Sequence, residues 1–129
     1  MAIFVTLKPY YQTRKIENNR DTMKKYTKKV IHSPIENTLR VIGSKWAVLI
    51  IRELMEDTKR FSELEKSLTG ISPRTLSLRL ASMEDHGIVD RKVYAEVPPR
   101  VEYKLSALGK SLEPVLKTMH NWGAGFAKK

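Results

Sequence analysis

Apolar residues in this chain recur at helical spacing, then at alternate positions, then at helical spacing again. The first helical stretch is well punctuated. In "SPIENTLRVIG", Ser33 can cap, Pro34 suits a first helical position, Glu36 completes a capping box and Gly43 supplies a stop. Ser44 then introduces "KWAVLIIRELME", where Trp46, Leu49, Ile50 and Leu54 repeat over about three turns and predict a central buried helix. In "RFSELEKSL", Ser62 and Glu65 form a second capping-box pattern. Leu64 and Leu68 mark the buried side of that helix and Gly70 its end. Ser72 and Pro73 open the next one, so two short helices joined around a glycine predict a helix-turn-helix.

The helix in "GISPRTLSLRLASMEDHGI" has two dissimilar sides. On a wheel of about 100° per residue, Leu80 and Met83 lie within roughly 40° of Leu76, and the three form a core stripe. Arg74, Leu78, Ala81 and Asp85 fall opposite, where a leucine in water gains nothing from burial. Something other than solvent is expected to cover that face.

Past Gly87 the period becomes two. Val89, Arg91, Val93 and Ala95 share one side, and after "EVPP" Val101, Tyr103 and Leu105 alternate with Arg100, Glu102 and Lys104. This predicts a hairpin with Pro98 and Pro99 at its tip, since neither can donate a ladder hydrogen bond. A hairpin following a helix-turn-helix is a wing. The helical period then returns through Leu108, Leu112, Val115, Leu116, Met119, Trp122 and Phe126, predicting one long helix kinked near Pro114. Its stripe is longer than a small domain can bury. The expected class is mainly α with a small β-hairpin wing, a winged helix-turn-helix ending in a long C-terminal dimerisation helix.

Composition narrows the function. The chain has 129 residues, 41% hydrophobic and 29% charged, which suits one small globular domain. No apolar run reaches the roughly 18 residues of a membrane span, and Met1 to Leu7 is too short and lacks the leading positive charge of a secretory signal, so a cytoplasmic location and no membrane partner are expected. The formal charge of +10 favours a polyanionic partner. It is concentrated in residues 1–32, net +6, against net +4 over 33–129, which sets a basic N-terminal arm apart from the domain. Within the arm, Met23, Tyr26 and Val30 fit a short amphipathic helix and Ile3, Val5 and Leu7 alternate like a strand, while a solvated basic tail fits equally.

The stretches "IGSKWAVLII", "RFSEL", "GISPRTLSLRLASMEDHGIVDR", "PPRVEYKLS" and "GKSLEPVLKTMHNWG" together resemble the HxlR-type winged-helix transcription regulators, in order and in spacing, from Ser33 to Trp122. Departures are local. Ser33 stands where that family usually has a cysteine, Ser44 where it usually has a second glycine, and the basic N-terminus is long. The resemblance implies a homodimer that binds double-stranded DNA, with dimer contacts from the first and last helices. Ile35 and Leu39, and Leu112, Leu116, Met119 and Trp122, are the apolar residues those helices offer.

Under this reading residues 72–86 form the recognition helix and residues 88–105 the wing on the flanking backbone. Arg74 and Arg79 lie in the first two turns and Glu84 and Asp85 in the last, a polarity suited to a helix whose N-terminal end meets phosphate. Arg74 is the candidate for guanine O6 and N7, Ser72, Thr75 and Ser77 for phosphate or bases, and Leu78 for a thymine methyl. Arg79 serves either DNA or an internal ion pair. Arg100 is assigned to phosphate or the minor groove, with bracing of Glu102 or a neighbouring strand as its alternative.

Other chemistry finds little support. His32, His86 and His120 are far apart and match no ligand spacing, and no nucleophile elbow, P-loop or dinucleotide fingerprint is present, so neither an enzyme nor a metal or other cofactor is expected. Trp46 and Trp122 sit on apolar stripes, which points to core or dimer packing. Without cysteine the chain has no disulfide and no thiol switch. Two alternatives remain beside the regulator: a winged helix used for protein interaction through the Leu78 face, and a non-specific basic nucleic-acid binder using mainly the arm. The sequence leaves the operator and any small-molecule effector unspecified.

Overall fold

A computed structural model describes residues 33–127. The basic arm, with the helix expected through Met23, Tyr26 and Val30 and the alternation of Ile3, Val5 and Leu7, lies outside the described residues. The described residues fall into two compact units divided after Arg40. To the first belongs most of helix α1 (Pro34–Ile42), closed by the expected capping box. The Glu36 N–H donates to Ser33 Oγ at 3.1 Å, and the Ser33 N–H donates to the Glu36 carboxylate at 2.9 Å. Ile35 and Leu39 on this helix are exposed.

The second unit is built around α2 (Lys45–Glu56), whose first turn is capped by Ser44 Oγ accepting from the Ala47 N–H at 3.1 Å. Its buried line runs through Ala47, Ile50, Ile51 and Leu54, while Trp46 and Leu49 are only half-buried, so the stripe lies slightly to one side of the expected one. Helix α3 (Phe61–Ser67) adds Leu64, and Leu68 just beyond it; α4 (Pro73–Asp85) adds Leu76, Leu80 and Met83. Gly70, at φ +93°, occupies the turn between them, a conformation that only glycine adopts without strain. After α4 the Ile88 N–H reaches the Met83 carbonyl and the Gly87 N–H the Glu84 carbonyl, at 2.9 Å each. That is a Schellman stop, with Gly87 at φ +72°.

Three antiparallel strands, rather than a two-stranded hairpin, form the sheet, in the order β1-β3-β2. Strand β2 (Val89–Tyr94) pairs with β3 (Arg100–Leu105) from Val89 opposite Leu105 to Tyr94 opposite Arg100. The unexpected member is β1 (Lys59–Arg60), with Lys59 opposite Tyr103 and Arg60 opposite Glu102. Two residues are too few to show a period. This strand also moves the start of α3, because the Ser62 and Glu65 capping box does not form. Instead Arg60, extended at φ −78° and ψ 157°, becomes the cap residue, and its N–H donates to the Glu63 carboxylate at 2.9 Å.

The expected single C-terminal helix is two: α5 (Ala107–Lys110) and α6 (Glu113–Ala127), separated at Ser111 and Leu112. Pro114 kinks nothing; it is the second residue of α6, where its missing N–H leaves no helical bond unmade. No residue of α6 is fully buried. Among the described residues no helix is long and apolar enough to cross a membrane.

Strand β1 is tied to α2 by charge. The Lys59 ammonium lies 3.1 Å from the Glu53 carboxylate and 3.8 Å from that of Glu56. Burial pushes the Glu53 carboxyl upward, but the hydrogen bonds and charges of Lys59 and Arg52 outweigh it and leave its pKa below the ordinary glutamate value. A carboxylate with a depressed folded-state pKa stabilises the protein above its unfolded value and loses that contribution as pH falls through the folded one. The stability advantage of the wild-type chain over Glu53→Gln is therefore expected near neutral pH and should vanish as pH drops below about 4.3 and through the lower folded value. Urea denaturation of both proteins across that range checks it; a gap that persists at pH 2 would remove the assignment.

Candidate nucleic-acid interface

Helix α4 presents to the surface the face that the wheel assigns to it. Leu76, Leu80 and Met83 are 0%, 1% and 3% exposed, whereas Leu78 is 60% exposed, and Arg74, Ser77, Arg79 and Ala81 are exposed with it. The leucine placed in water is thus a property of the fold. Arg79 makes no salt bridge to a described residue, nor does Arg74, so the internal ion pair is not how the structure uses Arg79. The helix carries no acid in its first turn and no base in its last. Its N-terminal half therefore adds two arginines to the partial positive charge of the unpaired N–H groups.

Ser72 and Thr75, two of the expected DNA contacts, are occupied with each other. The Thr75 N–H donates to Ser72 Oγ at 3.1 Å, and the Ser72 hydroxyl donates to Thr75 Oγ1 at 2.9 Å. Both ends of that pair fix the first turn of α4, and so the direction in which the neighbouring Arg74 leaves the helix.

Arg100 occupies the position that its alternative reading described. Its Nη2 lies 3.3 Å from the Glu96 carboxylate, its Nε lies 3.6 Å from that of Glu102, and its guanidinium sits 3.9 Å over the Tyr94 ring. Its side chain is only 27% exposed. The strand register explains the cluster: Tyr94 faces Arg100 at the last pair of the ladder, just before the tip. An exposed cation close to the wing is supplied instead by Arg60, which with Phe61 and Ser62 borders a concavity of about 390 Å³ against Val97, Pro98 and Pro99. Sequence patterning does not reveal Arg60, because only the pairing of β1 with β3 brings it there.

A second surface is apolar. On α6, Met119, Trp122 and Phe126 are exposed, and the Trp122 and Phe126 rings stack with centroids 5.3 Å apart. Leu112 and Leu116, expected with them, are half-buried and pack against the core of their own chain, Leu112 from the turn preceding α6. Between α2 and α6 lies a groove of about 530 Å³, lined by Val48, Leu49, Met55, Leu116 and Met119, with Arg52 and His120 among the polar residues. No cluster of metal-binding side chains occurs among the described residues.

Comparison with known proteins agrees with this geometry. Residues 41–129 match the family model of the HxlR-like helix-turn-helix. An HTH-type transcriptional regulator of Synechocystis, sll1512, is 43% identical over 96 residues, covering 74% of this chain and 71% of the relative. Among solved structures, the HTH-type regulator ytcD superposes with a TM-score of 0.72 at 41% identity, over 76% of this chain and all of that one. The redox regulator HypR in its reduced form superposes with a TM-score of 0.69 at 43% identity, over 72% of this chain and 92% of that one.

Proposed function

The chain belongs to the HxlR-like helix-turn-helix transcriptional regulators, and on that premise we propose that it binds specific sites on double-stranded DNA as a homodimer. The observation that carries this reading is the exposed face of α4, where Arg74 and Leu78 stand in solvent beside Ser77 with no partner among the described residues. In the major groove Arg74 meets guanine O6 and N7, Leu78 a thymine methyl, and Ser77 and Arg79 reach bases or phosphate. The helix N-terminus, held by Ser72 and Thr75, lies toward the backbone. The dimer uses the apolar residues left exposed, Ile35 and Leu39 on α1 and Met119 and Trp122 on α6, with Leu112 and Leu116 supporting α6 from beneath. The protein works in the cytoplasm, without a cofactor and without catalysing a reaction. The basic arm adds sequence-independent attraction.

Two recognition helices related by a two-fold axis place their half-sites about 34–36 Å apart, or a multiple of it. Footprinting the purified protein on a pool of genomic duplexes should therefore give two-fold-symmetric protection that unrelated DNA does not compete away, and sedimentation at micromolar concentration should give a dimer. Uniform protection of all duplexes would favour the non-specific basic binder. No binding at all would favour a protein-interaction module. HypR is described as a redox regulator, yet this chain contains no cysteine. Diamide is therefore expected to leave its DNA binding unchanged.

A further inference from the structure

We propose that Arg100 is a positioning residue that holds the wing tip in shape, and that it does not neutralise a phosphate. The inference rests on the DNA-binding reading above and assigns the wing's arginine a different task within it.

The tip between the two strands reads Ala95, Glu96, Val97, Pro98, Pro99, with no lysine or arginine and Glu96 as its one charge. Arg100 is the nearest cation in sequence on the returning strand, and its guanidinium is engaged on three sides. Nη2 faces Glu96 across the tip, Nε faces Glu102 along the strand, and the flat face of the guanidinium rests on Tyr94, its partner on the outgoing strand at the last pair of the ladder. One planar group thus joins the outgoing strand, the tip and the returning strand. The tip backbone adds a turn of its own, with the Glu96 N–H donating to the Tyr94 carbonyl at 2.8 Å.

Charge makes the alternative costly. Arg100 with Glu96 and Glu102 sums to a net negative charge. To meet a phosphate the guanidinium has to leave both carboxylates and turn them, uncompensated, toward a polyanion. Its Nε is also buried, with no hydrogen-bond partner beyond the longer contact to Glu102, so this side of the group is held by packing and charge rather than offered to solvent. Cations for the flanking backbone exist elsewhere: Arg60, Arg91 and Lys104 are all exposed. A lysine cannot replace Arg100 in such a role, because an ammonium has neither the fork to reach two carboxylates nor the plane to stack on a ring.

The absence of cysteine gives a direct test. Val97 is fully exposed at the tip, so a spin label on Val97→Cys in the otherwise unaltered full chain reports tip mobility in the free protein. Arg100→Ala and Arg100→Lys are both expected to raise label mobility, as is Glu96→Gln, which leaves the arginine in place but removes one brace. On unlabelled protein, both arginine variants should weaken binding to the protected duplex by about tenfold, with the slope of log affinity against log salt unchanged. The proposal is overturned if the label is equally immobile in all variants, if Arg100→Lys binds like the wild type, or if Arg100→Ala lowers the salt slope by about 0.9, the mark of one lost phosphate contact. Should the wild-type chain show no selective duplex binding, the regulator reading fails, and the mobility measurement still decides whether Arg100 holds the tip.

Discussion

Gly109→Ala is expected to destabilise the protein by about 3 kcal/mol, the upper end of the usual overpacking range. In an exposed helix the same exchange stabilises by up to about 1 kcal/mol, because alanine loses less backbone freedom on folding. Here the sign reverses through packing. A Cβ added at Gly109 lies 2.2 Å from the Ile88 carbonyl oxygen and 3.1 Å from the Leu105 side chain. The carbonyl cannot move aside without loss, since it accepts the Ser106 N–H at 3.0 Å and the Ser106 hydroxyl at 3.1 Å. Ser106 in turn caps α5 by accepting the Gly109 N–H at 3.0 Å. Relieving the clash thus separates α5 from the start of the wing, where Ile88 and Val89 belong to the core. Gly125→Ala is the matched control, for its new Cβ meets nothing within 4 Å in this chain. Urea unfolding of the two variants should move them in opposite directions from the wild type, and a Gly109→Ala midpoint at or above the wild-type value would show that the close approach is not rigid.

Why Gly109 escapes a sequence reading, while Gly70 and Gly87 do not, follows from the range of the forces involved. Gly87 ends α4 and Gly70 makes the turn after α3 through local backbone conformation, and their signal is the apolar period that stops beside them. Gly109 is required by a carbonyl 21 positions earlier in the chain. The same division runs through the caps. Ser33 with Glu36, Ser44 and Ser72 all act as their local patterns say. Ser62 with Glu65 has an equally good pattern and does not act, because pairing of Lys59 and Arg60 with β3 starts the helix two residues sooner. Arg100 is similar: the sequence supplies Glu96, Glu102 and Tyr94 nearby, but only the β2–β3 register puts all three around one guanidinium. The core face of α4 was legible because Leu76, Leu80 and Met83 carry it within a single helix.

Separating stability from selectivity on that helix is the expected result of a small set of alanine variants. Leu80 is 1% exposed in the core, so Leu80→Ala removes buried methyl groups and leaves a cavity, at a cost of about 2–5 kcal/mol. Arg74 and Leu78 border no core residue's cavity: one is exposed and the other 60% exposed, so their truncation should change stability by no more than about 0.5 kcal/mol. What they lose is discrimination. For Arg74→Ala a bidentate guanine contact predicts about 1–3 kcal/mol less preference for the protected site over random duplex, roughly a fivefold to 150-fold change in the affinity ratio. Leu78→Ala should lower the same ratio by a smaller amount, through the lost apolar contact with thymine. Measuring that ratio at fixed salt matters, because loss of a phosphate contact would weaken specific and random duplexes alike and leave the ratio unchanged. If Arg74→Ala keeps the wild-type ratio while both affinities fall together, Arg74 serves the backbone, and base reading must lie elsewhere on α4.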